Sequence, residues 1–348
     1  MTPDELSHAH ALRAKLTQVL AELPVSLEVT TLGGGVQVKS AAELVNRFGV
    51  THCFHFHGNV AGSYRGPEFL TYFSENGVRA AVGRSRSEVA TASALELWFQ
   101  GASLEALYSR FEFVDEKKRD LSRIQDFVLG TSPELGSGSR IVMLHKRLPE
   151  NLSLQFQGET RSVVVNVALT KTTARFLWDE TELYRAEVED LPVFVSLLKR
   201  WICDNAMPSS LRVEFPWLAI GDLADFYESG NPVEGEFLQS WNRIETFCGK
   251  LRFFPTGRAL SLIASLRSRG FDKTLRAGQS HKTLILSRSR RPRLRFEQPR
   301  IEILFDQSRD AMEVRTNFPD GKQSETMPIA VTEPLEHMML KLQSYPVD

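Results

Sequence analysis

Apolar residues in the first third of the chain switch repeatedly between helical and alternating spacing. Leu12, Leu16, Val19, Leu20 and Leu23 recur three and four residues apart, which predicts an opening helix that Pro24 stops. Its start is written in Thr2 as N-cap, Pro3 in the first turn, and Asp4 and Glu5 against the positive end of the dipole. Ser26 to Leu32 predicts a strand, closed by a turn at Gly33-Gly34-Gly35 that lacks the Lys-Ser/Thr of a phosphate loop. Ser40 and Glu43 form a capping box for a short helix from Ala41 to Phe48. A strand from Val50 to Asn59 follows. Pro67 to Asn76 then predicts a helix capped by Gly77, and Val78 to Gly83 a short strand. Ser85 and Glu88 form a second capping box, for a helix to Phe99, and beyond Gly101 a further helix runs from Ser103 to Arg110. Strands alternating with helices predict an α/β domain built on a mostly parallel sheet.

Gly130 to Ser139 holds three glycines, three serines and a proline, the composition of a linker. It divides the chain into an α/β domain over 1–130, a linker over 131–139 and a second domain over 140–348. Downstream the rhythm changes. Ile141 to Leu144, Leu152 to Phe156, Ser162 to Leu169 and Ala174 to Trp178 predict successive strands. Helices are predicted from Val193 to Cys203, from Gly235 to Phe247 and from Arg258 to Arg269. Strands return at Lys282 to Ser287, Arg293 to Glu297, Arg300 to Phe305 and Met312 to Thr316, before a final helix from Pro334 to Leu342. This half predicts an α+β domain with an antiparallel sheet.

With 348 residues, 42% of them apolar, the chain can fill two ordinary cores. Three scattered cysteines, Cys53, Cys203 and Cys248, form no CxxC pair and predict a reducing, cytoplasmic setting rather than a disulfide scaffold. The N-terminus does not read as a signal peptide. No apolar run approaches the roughly 20 residues of a membrane span.

Candidate chemistry concentrates in Val50-Thr-His-Cys-Phe-His-Phe-His-Gly-Asn59. On a strand, Cys53, His55 and His57 share one face, and His52, Phe54 and Phe56 the other. The aromatic face asks for burial, which leaves the Cys/His/His face to meet a groove. Its two-residue spacing suits three ligands of a zinc site, as in a metal-dependent hydrolase. The competing reading is a polar strand face under a loop or at an interface.

The order of elements from about residue 50 to 110 resembles the caspase-like domains known as CHAT. The resemblance rests on His57-Gly58, on Phe69 to Gly83 with its Gly-Val-Arg-Ala-Ala-Val-Gly run, on Val89 to Phe99, and on Gly101-Ala-Ser-Leu-Glu-Ala-Leu107. It implies a caspase-like α/β fold in which His57 matches the family's catalytic histidine if its strand is the first of the family's two, or stands about where the nucleophile belongs if it is the second. The family's nucleophilic cysteine has no counterpart here. Cys53 precedes His57 by four residues on one strand, about 13 Å by strand rise, too far for a hydrogen-bonded dyad. The resemblance therefore implies a degenerate, non-proteolytic relative.

Other carboxylates have plainer readings. Asp115-Glu116-Lys117 contains the D-x-K of nuclease strands but opens a charged run suited to a helix start. Glu234 and Glu236, with Asp222, Asp225 and Glu228 upstream, have the spacing of a loop entering a helix. Net charge is near zero, yet it is segregated. Residues 250–300 carry fourteen Lys/Arg against two acids (+12), and 176–249 carry fourteen acids against five Lys/Arg (−9). Arg288, Arg290, Arg291, Arg293 and Arg295 read as a basic β-ribbon turning at Arg291-Pro292, a polyanion or nucleic-acid surface. The alternative is pairing of the acidic segment with the basic one. No RNP, helix-turn-helix or zinc-finger signature accompanies the arginines. Together these features predict a non-catalytic interaction or regulatory protein with a protein partner. Nucleic-acid binding through 250–300 and metal-dependent hydrolysis at Cys53, His55 and His57 are the alternatives, and no cofactor other than zinc is implied.

Overall fold

The structure, a computed structural model, describes residues 10, 13–14, 17–18, 21, 27–32, 35–40, 51–56, 59–60, 63–64, 68–75, 78–143, 152–167, 171–250, 256–280, 283–292, 295, 297–306 and 311–347. The N-terminal helix start, the helix expected over 41–48, His57 and Arg293 lie outside them. The chain divides into two compact units: residues 1–175 with 187–204, and residues 176–186 with 205–348.

In the first unit, β1 (Leu27–Leu32), β2 (Gly35–Ser40), β3 (Thr51–Phe56), β6 (Glu68–Glu75) and β7 (Val78–Ser85) form one sheet in that order, with β4 (Asn59–Val60) and β5 (Ser63–Tyr64) as a separate small hairpin. Each neighbouring pair is antiparallel. The mostly parallel sheet expected of an α/β domain, and implied by the caspase-like resemblance, is thereby corrected. The physical reason lies at 67–76, expected as a helix. Residues 68–75 form β6 instead, and only two residues separate it from β7. A parallel pair needs a crossover of a dozen residues or more, so a two-residue link closes an antiparallel hairpin.

Helix α1 (Glu88–Phe99) covers β6 and β7, capped by Ser87, whose hydroxyl accepts from Ala90 N at 3.2 Å. Ala92, Leu95, Trp98 and Phe99 pack on Phe73 and Ala81, with Trp98 edge-on to Phe73 at 5.9 Å. Gly101, at positive φ, breaks the helix, and Ser103 caps α2 (Leu104–Arg110).

Asp115 then ties the start of α3 (Glu116–Thr131) to the open edge of β7. Its amide donates to Val82 O (2.7 Å), and its carboxylate accepts from Val82 N (2.9 Å) and the Tyr108 hydroxyl (2.7 Å). The residue sits in the left-handed region (φ 48°), where Asp and Asn are tolerated better than most residues. Burial, then this hydrogen bond, pushes the Tyr108 hydroxyl above the usual phenol range. Asp115→Ala removes both carboxylate acceptors, and a loss of about 2 kcal/mol is expected in urea unfolding. An unchanged midpoint would show that the tie contributes nothing.

Helix α3 buries Leu121, Ile124 and Val128 over β8 (Ser139–Met143), β9 (Leu152–Gln157) and β10 (Arg161–Val167), and against α4 (Leu191–Ile202). Residues expected as a linker form the end of α3 and a 3-10 turn, Pro133–Gly138, with Leu135 buried. The strand order of this second sheet is β12-β11-β10-β9-β8, ending in β11 (Thr172–Trp178) and β12 (Thr181–Glu187). Arg161, almost wholly buried, lies 4.2 Å from the Trp201 ring centroid of α4.

The second unit holds α5 (Pro208–Glu214), α6 (Leu223–Glu228), α7 (Pro232–Lys250), α8 (Thr256–Ser268) and α9 (Glu333–Gln343). Its sheet is an antiparallel meander of β13 (Arg276–Ser280), β14 (Thr283–Ser287), β15 (Arg300–Asp306), β16 (Ala311–Phe318) and β17 (Gly321–Pro328). Alternation along β16 sends Met312, Val314, Thr316 and Phe318 inward, where the apolar ones meet Leu335, Met338, Met339 and Leu342 of α9. Helix α7 is fixed to β13 by the Trp241 indole donating to Leu275 O (2.7 Å) and by Ala277 N donating to the Ser240 hydroxyl (2.9 Å).

Candidate functional site

Cys53 and His55 stand two residues apart on β3. Cys53 is paired across the strands with Thr71 and His55 with Phe69, so both positions share the sheet face of Thr71 and Phe73. Thr71 and Phe73 are fully buried, and Phe73 belongs to the core under α1. Positions 54 and 56 fall on the opposite face. Among the described residues no group of three or more His, Cys, Asp or Glu is arranged to hold a metal ion.

Of the arginines expected as a β-ribbon, Arg288, Arg290, Arg291 and Arg295 stand outside strands, and Arg293 lies outside the described residues. Residues 288–292 are irregular between β14 and β15, and Arg295 is outside any strand. Instead of lining one face, the guanidinia of Arg288, Arg290 and Arg291 turn to groups of their own unit. Arg288 donates to Tyr345 O (2.9 Å) and Thr274 O (3.0 Å), and burial holds it below the usual arginine range. A phosphate would have to displace those carbonyls.

Arg290 and Arg291 converge on Glu236, near the start of α7 and only 4% exposed. Arg290 Nε donates to both carboxylate oxygens (3.1 and 3.3 Å), and Arg291 Nη1 reaches one of them at 3.4 Å. The Thr181 hydroxyl (3.0 Å) and the Tyr227 hydroxyl also donate to Glu236. Burial, then the bond to Glu236, raises the Tyr227 hydroxyl above its ordinary range. Burial opposes the charge on Arg290, but its bonds to Glu236 and Tyr227 outweigh that and hold the guanidinium above the usual range. Arg276 donates to Arg290 O (2.8 Å), which brings a third cation close, and burial lowers its proton affinity.

The outer partner is Asp179. Asp179 and Glu180 both take positive φ (50° and 65°), forming the two-residue turn between β11 and β12. That turn offers the Asp179 carboxylate to Arg290 at 2.6 Å and the Asp179 carbonyl to Arg291. Trp178 leans on Tyr227 at 5.6 Å. Gly235 makes the neighbouring helix approach feasible, since a Cβ there would come within 2.5 Å of Phe226 Cβ. Every carboxylate oxygen of Glu236 is occupied by donors of the same unit. The cluster is a closed strap binding the β11–β12 turn, α7 and the β14–β15 loop.

Three of the other expected carboxylates are engaged likewise. Glu234 lies 3.8 Å from Lys273, Asp225 holds Arg212 at 2.5 Å, and Glu228 accepts from Ser209 N at 2.9 Å. Arg267 takes Glu245 (2.6 Å) and Asp272 (3.1 Å). The segregated charges thus meet as internal pairs at Arg267–Glu245, Lys273–Glu234 and Arg290/Arg291–Glu236.

What the sequence reading missed lies at 207–217. Pro208, Leu211, Phe215 and Leu218 are buried and anchor α5, while Met207 (44% exposed), Val213 (83%) and Trp217 (52%) point to solvent. The Trp217 ring stands edge-on to buried Phe215 at 6.2 Å. Arg212 bonds to Ile220 O and Gly221 O as well as Asp225, and the Ser209 hydroxyl meets Glu228 at 2.5 Å. These ties fix α5 to the start and end of α6. No periodicity marks the feature, since burial of Leu211 and exposure of Val213 are decided by neighbours distant in sequence.

No protein-family model matches the chain, and no curated protein matches it either.

Proposed function

We propose that this chain is a non-catalytic interaction protein that engages another protein through Met207, Val213 and Trp217. The observation that supports the reading is the exposure of three large apolar side chains within eleven residues of a segment whose backbone is tied down on both sides. Trp is the residue type most enriched among energetic hot spots, and its indole combines large apolar area with little rotamer freedom to lose. A preorganised segment also avoids the ordering cost that a mobile loop would meet on binding. The regulatory sense of the proposal comes from sequence, where Cys53 and His57 are spaced too far apart for a nucleophile–base pair. A cytoplasmic setting fits three scattered cysteines; Cys203 and Cys248 are free thiols, and no helix among the described residues is long and apolar enough to cross a membrane.

Val213→Asp should leave folding stability within about 0.5 kcal/mol because its side chain is largely solvated, and Trp217→Ala, which removes a half-exposed indole from Phe215, should cost about 1 kcal/mol. The immobilised full-length protein is expected to retain a stoichiometric partner, identified by mass spectrometry, that both variants lose. Equal retention by wild type and variants would place the contact elsewhere.

A further inference from the structure

We infer that a groove between α1 and the end of α2 binds a free α-amino acid with an apolar side chain. The site lies in the first unit and does not depend on the interaction reading above. Ser93, Glu96, Leu97 and Gln100 are spaced three and four apart, so they share one face of α1. Ala92, Leu95, Trp98 and Phe99 are given over to the core, and the remaining face lines an open cavity of about 410 Å³. Arg110, the last residue of α2, and Phe111 complete its lining. The volume falls within the range of small-ligand pockets, about 300–1,000 Å³. Leu97 and Phe111 both pack against the core, so the apolar wall is in place before a ligand arrives.

The two charges in the lining are not spent on each other. Among the described residues no hydrogen bond or ion pair engages the Arg110 guanidinium, and the Glu96 carboxylate accepts only from the Gln100 side-chain amide, at 3.3 Å. Glu96 also stands in the last turn of α1, which carries no basic residue, so the negative end of the helix dipole adds to its field. The groove thus offers an anionic pole, a guanidinium and an apolar wall. A ligand that matches it sets an ammonium at Glu96, a carboxylate on the fork of Arg110, and an apolar group against Leu97 and Phe111. An α-amino acid carries all three on one carbon. A ligand with a single charge leaves one pole of the groove without a partner.

L-Leucine and L-phenylalanine can be titrated into the full-length protein by isothermal calorimetry. N-Acetyl-L-phenylalanine, which lacks the ammonium, and L-phenylalaninamide, which lacks the carboxylate, are titrated beside them. Both amino acids are expected to bind with millimolar affinity or better, and each blocked form about tenfold more weakly than free phenylalanine. Glu96→Gln should weaken the amino acids and the amide about tenfold and leave the N-acetyl form unchanged. Arg110→Gln should weaken the amino acids and the N-acetyl form by a similar factor and leave the amide unchanged. Both substitutions keep the size of an accessible polar side chain, so the fold is retained. No heat from either amino acid, an N-acetyl form that binds as tightly as free phenylalanine, or binding indifferent to both substitutions overturns the inference.

Discussion

Glu236→Ala is expected to lower the stability of the chain by about 3–5 kcal/mol, the cost of removing one partner from a buried ionic cluster. The carboxylate is the only acceptor that Arg290 and Arg291 share from within α7, and Arg276 adds a third cation beside them. Without it, the two guanidinia keep the Tyr227 and Thr181 hydroxyls but only one carboxylate, that of half-exposed Asp179 at the outer rim. The hydroxyls of Tyr227 and Thr181 lose their acceptor in the same step. Glu236→Gln retains the shape and one acceptor oxygen but not the charge, and a smaller loss is expected. The informative comparison is a cycle with Arg290→Met. If the cost of Glu236→Ala comes from stranded cations, removing Arg290 first should shrink it by at least 1 kcal/mol. Additive losses in guanidinium unfolding would show that Glu236 acts by packing and not by charge.

That cluster also shows where sequence reasoning reaches and where it stops. Segregation of charge between 176–249 and 250–300 is visible by counting, and so is internal pairing as one of its two readings. Which acid meets which base is not visible, because Glu236 and Arg290 are 54 positions apart and their meeting depends on how α7 packs on β13. The alternation of Ser and Arg through 287–291 mimics the period of a strand. Pro292 and the pull of Glu236 win instead, and the backbone leaves the sheet at Ser287. The segment 68–75 fails differently. Its Phe69, Thr71, Tyr72 and Phe73 are aromatic or β-branched residues suited to a pleated surface, and Asn76-Gly77 is a strong short hairpin signal. Weighting Pro67 and Gly77 as helix punctuation obscured both, and with them the antiparallel order of the whole sheet. The helices α1, α2 and α9 were legible from apolar spacing, but the cap of α1 is Ser87 and not Ser85, which ends β7; Ser103 and Thr332 cap α2 and α9. Cys53 and His55 were legible as positions two apart on one strand, and the register with β6 sets them on the face of Thr71 and Phe73.

Gly138→Ala is expected to be severely destabilising, by more than about 2 kcal/mol, although glycine-rich composition marks this stretch as a flexible tether. A Cβ at position 138 would stand 2.0 Å from Gln157 O and 2.9 Å from Gln157 C, both backbone atoms of β9 that no rotamer change can move away. The 3-10 turn over Pro133–Gly138 buries Leu135 and delivers the chain into β8, so relief would require β8 and β9 to separate. Two neighbours serve as internal controls. Gly136 has only Leu129 Cδ2 at 3.7 Å, an ordinary contact, and Gly136→Ala should be nearly neutral. Gly130 lies within α3 with nothing inside 4 Å, and Gly130→Ala should stabilise by about 0.4–1 kcal/mol through reduced freedom of the unfolded chain. A tether would treat the three substitutions alike, whereas a packed turn separates them in sign and size. Equal urea midpoints for all three variants would show that Gly138 does not approach β9 as closely as its backbone places it.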